Sequence, residues 1–120
     1  MREEKNDFKK RLVKFSLEII SLCDSFPNSR KFWIITDQLI RSATSIGANI
    51  TEAKSSSSRK DYIKFFQIAL KSANETEYWL TLAQELISDK TKIDALMKEL
   101  DEISKIIGSS LLTLKGKKSF

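Results

Sequence analysis

Apolar residues recur along this 120-residue chain in alternating steps of three and four, the rhythm of helices that each bury one face. Phe8, Leu12, Phe15, Ile19 and Leu22 mark a first helix from about Glu3 to Cys23. Pro27 cannot continue a helix and biases Phe26 toward an extended backbone, so Asp24 to Asn28 closes the segment. Asn28 or Ser29 can cap a second helix carrying Phe32, Ile35, Leu39, Ala43, Ile46 and Ile50. The serine run at 55 to 58 interrupts the rhythm. Ser58 followed by Asp61 fits a capping box, with aspartate in place of the usual Glu or Gln. It opens a third helix marked by Tyr62, Phe65, Phe66, Ala69, Ala73, Leu80, Ala83 and Ile87. A break over Ser88 to Thr91 precedes a fourth, with Ile93, Leu96, Leu100, Ile103, Ile107, Leu111 and Leu114.

Connections this short join antiparallel neighbours, so the pattern predicts an all-α, antiparallel up-down-up-down four-helix bundle in a single domain over residues 1–120. Three glycines and one proline supply too little turn chemistry for a many-stranded β fold.

The outward faces are not alike. Opposite its apolar stripe the fourth helix carries Lys92, Asp94, Lys98, Glu99, Asp101, Glu102 and Lys105, an ordinary solvated surface. The second helix has no charge between Ser42 and Thr51, and Trp33, Ile40 and Gly47 widen its apolar arc. The third carries a further apolar strip at Ile68, Trp79, Leu82 and Leu86. A lone bundle cannot easily bury all of this, so the expectation is self-association through helices two and three. The candidate interface is Trp33, Ile40, Ser45, Ala48, Ile68, Trp79, Leu82 and Leu86; the plainer alternative is a wide core stripe with half-exposed edges. Arg41, Asn49 and Glu52, with Glu77 on the third helix, are expected to form a paired polar network that fixes register; the alternative is a set of solvated side chains.

The formal charge of +5 favours acidic partners such as nucleic acid. Lys9, Lys10, Arg11 and Lys14 form one basic patch, Arg59, Lys60 and Lys64 another, and Lys115, Lys117 and Lys118 end the chain. Such patches contact phosphates without reading sequence, although interleaved Glu3, Glu4, Asp7 and Asp61 also fit plain solvation. No aromatic stacking platform is expected beside them, because Tyr62, Phe65 and Phe66 fall on the core stripe.

The chain has no histidine, which removes Ser-His-Asp and Cys-His nucleophile activation and the Glu-x-x-His ligand pairs of di-iron bundles. Gly47, Gly108 and Gly116 are isolated and form no phosphate-cradling loop. Glu75 and Glu77 point to different neighbours rather than into one cleft. No catalysis, cofactor, metal or small-molecule substrate is expected. A lone Cys23 at helical spacing reads as a small buried hydrophobe, and the charged start and lack of long apolar runs favour a soluble cytoplasmic protein with no membrane partner.

The stretches QLIRSATSIGANITEA and SRKDYIKFFQIALKSANETEYWL resemble the signature of four-helix bundle proteins first noted as products of intervening sequences within bacterial 23S rRNA genes. The likeness runs from RLVKF at Arg11 through the fourth helix, and rests on Gln38, Arg41, Ser42, Ile46, Asn49, Ile50 and Glu52, followed by Phe65, Ala69 and ETEYWL. It implies antiparallel bundles assembled as homopentamers. A related group serves as accessory proteins to the reverse transcriptases of diversity-generating retroelements, so the resemblance implies RNA or a reverse-transcriptase-like protein as partner. Where many relatives turn through glycine and arginine after the second helix, this chain has Glu52, Ala53 and Lys54, then Ser55 to Ser58.

Overall fold

The computed structural model describes residues 2–118, with side chains described over 7–116. Four helices follow one another: α1 (Arg2–Asp24), α2 (Arg30–Lys54), α3 (Arg59–Leu86) and α4 (Thr91–Lys118). Each packs against the helices adjacent in the square, α1 on α2, α2 on α3, α3 on α4 and α4 back on α1. The short connections force the alternating direction, and the principal extents are 51 × 25 × 21 Å.

The core is the set of positions the periodicity marks. Phe15, Ile19, Leu39, Ile46, Leu80, Ile93, Leu100, Ile103 and Ile107 are all essentially inaccessible. Tyr62 and Phe65 are only partly covered, packing against this core at its edge. Cys23 is a buried free thiol, as its spacing predicts.

Helices α2 and α3 meet through small residues, with Ala43, Ala53, Ala69, Ala73 and Ala83 at 0–1% exposure. Small side chains let the two backbones approach, and the polar groups brought along are paired. Thr76 Oγ1 donates to Ser42 Oγ at 3.0 Å, and Ser45 Oγ and Ser72 Oγ share a hydrogen at 2.9 Å. Asn49 Nδ2 reaches back to the Ser45 carbonyl and hydroxyl. The uncharged side of α2 is therefore partly covered within the chain: Ser42 is fully buried, and Ser45 and Asn49 are half-buried. Sequence periodicity placed Ser45 away from the core; the structure places it in the α2–α3 seam.

The helix ends test the cap assignments. Ser58 is the N-cap of α3 and its hydroxyl accepts from the Asp61 amide at 3.1 Å. Ser29 is the N-cap of α2 but makes no capping bond, and its buried hydroxyl has no partner. Ser58→Ala is therefore expected to cost about 1 kcal/mol in urea unfolding, whereas Ser29→Ala should cost less than half of that.

Gly47 lies inside α2, where a Cβ would sit 3.5 Å from Leu12 Cβ, an ordinary contact. Close approach does not require a glycine here. Gly47→Ala is expected to raise stability by about 0.5–1 kcal/mol through the unfolded chain, read as a higher melting temperature.

Candidate functional site

Two surfaces remain after the core is built, one apolar and one basic. The apolar one lies where α1 and α2 face outward. Val13 is 51% exposed, Leu17 60%, Trp33 57% and Ile34 50%. A shallow groove between α1 and α2 is floored by Thr44, Gly47, Ala48 and Thr51, with Lys9, Val13 and Leu17 as its α1 wall; Trp33 and Ile34 lie outside it, toward the start of α2. Trp33 is held by its indole N–H, which donates to Asn28 Oδ1 at 2.7 Å. Of the interface residues expected from sequence, Trp33, Ala48 and Leu86 are exposed, while Ile40, Ser45, Ile68, Trp79 and Leu82 are half-buried within the chain. Val13 and Leu17 were missed because they stand outside the apolar stripe of α1, on its outward face, where single exposed apolar residues are common. Their signal is positional: an i, i+4 apolar pair on a face that otherwise carries lysine.

The polar network is present but differently composed. Arg41 donates to Gln38 Oε1 at 2.7 Å and to the Glu75 carboxylate. Glu75 also accepts from Trp79 Nε1 at 3.2 Å. The Trp79 indole N–H, followed by the Arg41 guanidinium, holds the Glu75 carboxyl below the usual glutamate range. Glu52 and Glu77 are exposed and have no side-chain hydrogen bond or ion pair among the described residues. The expected grouping of Arg41 with Glu52 and Glu77 is corrected: Glu52 lies three turns away along α2, and Glu77 leaves α3 on the side away from Glu75.

The basic groups gather at one end. The starts of α1 and α3 and the ends of α2 and α4 share that end of an antiparallel bundle, so Lys9, Lys10, Lys60 and Lys64 lie toward one end, the first two on α1 and the others on the diagonal helix α3, which α1 does not touch. All four are exposed, and Lys14 lies slightly further along α1. Three other cations are committed to the fold. Arg11 bridges to Glu99 at 2.7 and 2.8 Å and to Glu102 at 3.4 Å, tying α1 to α4. Arg59 donates to the Leu114 carbonyl near the end of α4. Lys54 Nζ donates to the Tyr62 hydroxyl at 2.9 Å and lies over the stacked Tyr62 and Phe66 rings.

The Arg11 guanidinium holds Glu99 below the usual glutamate range, chiefly through its hydrogen bonds. A depressed folded-state pKa gives stability that is present above the unfolded value and lost as pH falls through the folded one. Glu99→Gln is expected to flatten the loss of stability below about pH 4 relative to the parent chain, in acid titrations followed by circular dichroism.

Further along α3, Lys71 and Tyr78 continue the lysine row on the outer face, and Tyr78 is 59% exposed. Tyr62, Phe65 and Phe66 face the core as expected, and Tyr78 lies two heptads beyond Lys64 rather than beside the basic patches. The heptad spacing of Lys64, Lys71 and Tyr78 was the available signal.

Among the described residues no group of acidic, cysteine or histidine side chains could hold a metal ion, and no helix is long and apolar enough to cross a membrane. The concave regions described are clefts between helices, one of them lined by Lys14, Glu18, Ser21, Lys92 and Glu99 between α1 and α4.

Comparison with known proteins agrees with the architecture. A protein of unknown function from the S23 ribosomal protein family of Bacteroides thetaiotaomicron, solved by crystallography, is 37% identical over 87% of this chain and 97% of its own, with a TM-score of 0.80. No functionally curated protein matches. The profile of the 23S rRNA-intervening sequence proteins matches residues 4–109. With four helices in the expected order, that match over nearly the whole chain makes this protein a member of the 23S rRNA-intervening sequence protein family.

Proposed function

We propose that this chain is a non-catalytic, homo-oligomeric bundle of the cytoplasm, a pentamer by family resemblance, acting as a scaffold for a partner macromolecule. The observation that carries this reading is the exposed apolar surface of α1 and α2, where Val13 and Leu17 flank Thr44, Ala48 and Thr51, with Trp33 and Ile34 exposed further along α2. The outer face of α4 offers a contrast, with Lys98, Asp101, Glu102 and Lys105 all exposed. A second copy is the occupant that suits a surface of this kind, since it brings the same apolar area, with Lys9 at the groove's edge. Multi-angle light scattering on the native chain tests it: a mass several times 13.8 kDa is expected, and a monomer at every concentration sinks the proposal.

A second reading is favoured by the placement of exposed Lys9, Lys10, Lys60 and Lys64 toward one end of the bundle. In that reading the scaffold's partner is nucleic acid, RNA in the first instance, held through phosphates; a reverse-transcriptase-like protein bound to that RNA is the wider assembly. Lys9, Lys10, Lys60 and Lys64 changed together to Gln should abolish most of a binding signal that falls steeply with salt. Binding that is unmoved by salt, or by these substitutions, removes the reading.

A further inference from the structure

We propose that the outer face of α3 is a track for single-stranded nucleic acid, with Tyr78 as its base-stacking platform; the inference rests on the nucleic-acid reading above and names the strand form it takes. Lys60, Lys64, Gln67, Lys71, Asn74 and Tyr78 are all exposed and fall on one side of the helix in steps of three and four. Glu75 borders the row, near enough to Lys71 to interact with it electrostatically, but its carboxylate receives Arg41 of α2 and Trp79; Glu77 leaves the helix on another side. From Lys60 to Tyr78 the row is about 27 Å long at 1.5 Å per residue, enough to follow several nucleotides of a strand.

An ordinary solvated helix face mixes its charges, as α4 does with Lys98, Asp101, Glu102 and Lys105. The α3 row carries three lysines and two neutral amides, bordered by a Glu75 already paired with Arg41, and ends on a ring. That ring is held in place. Tyr78 meets Trp79 edge to face, with centroids 5.3 Å apart and planes at 77°, and Trp79 is fixed in turn by Glu75. A buttressed, 59% exposed ring beyond a run of phosphate-binding lysines is the arrangement that captures unstacked bases. A duplex keeps its base faces inside the stack and could use the lysines but not the ring. Strand form is therefore read by Tyr78, and backbone charge by Lys60, Lys64 and Lys71.

The test is fluorescence anisotropy with a labelled oligouridylate, and with the same strand paired to oligoadenylate, across a salt series on the full chain. Tyr78→Ala is expected to weaken single-strand binding about five- to a hundredfold and to leave duplex binding unchanged, and Tyr78→Phe should retain it. Replacing Lys60, Lys64 and Lys71 with Gln should lower the salt slope for the single strand by about 2. Because all four side chains point to solvent, melting curves should overlay the parent's. Tyr78→Ala without effect on the single strand, or with an equal effect on the duplex, overturns the track while leaving phosphate binding standing. No binding of either form overturns the underlying reading itself. Tyr78→Ala that dissociates the assembly yet spares single-strand affinity assigns the ring to the subunit contact and overturns the track as well.

Discussion

Leu17→Glu is expected to reduce the native assembly to single chains, with light scattering reporting a mass near 13.8 kDa where the parent gives a multiple of it. Leu17 is 60% exposed in the isolated chain, so a carboxylate there is already in water and the helix accepts it without strain. Folding of the subunit should therefore be nearly unaffected, within about 0.5 kcal/mol, as for surface substitutions generally. In an assembly the same carboxylate would be pressed against apolar surface with no cation opposite it. An unpaired charge in that setting costs several kcal/mol per contact, enough to move a micromolar assembly far into the dissociated range. Leu17→Glu is a cleaner probe than Trp79→Glu, because Trp79 is half-buried and holds Glu75, so its loss disturbs the α2–α3 seam too. A variant that keeps the parent's mass would show that the α1–α2 groove is not the contact.

The helices and core were legible because burial repeats with the helix period, and Leu39, Leu80 and Ile103 could be placed inside from spacing alone. What spacing could not give was the partner across each gap. Ser42 and Thr76 look like neutral surface on their own helices and become a buried pair only when α2 and α3 are in register. Arg41 had two acidic residues to choose from on α3, Glu75 and Glu77, and a helix wheel does not say which side faces α2. The three basic patches lie far apart in sequence, and only the antiparallel topology brings them toward one end. Missing charge on α2 points to another copy from sequence alone; Ser42 and Ser45 instead pair with Thr76 and Ser72 of α3 and Asn49 folds back onto Ser45, while Thr44, Ala48 and Thr51 stay exposed.

Leu39→Ala is expected to act in the opposite way to Leu17→Glu. Leu39 is 0% exposed and packs at the middle of α2, so truncation loses its transfer free energy and leaves a void that rigid neighbours cannot fill. A cost of about 2–5 kcal/mol follows, a large part of the roughly 5–15 kcal/mol that holds a domain of this size together. Urea unfolding should show a lower midpoint with an unchanged slope, since the same surface is exposed when the chain unfolds. The two variants separate folding from assembly through concentration. When subunits stabilise one another, the melting temperature rises with protein concentration. Leu39→Ala should lower the melting temperature yet keep that dependence, because the groove side chains Val13 and Leu17 are untouched. Leu17→Glu should remove the dependence altogether, and its melting temperature should settle near the parent's value at the lowest concentration. If the parent melts at one temperature over a thousandfold range of concentration, the apolar surface of α1 and α2 contributes nothing to stability, and the subunit stands alone.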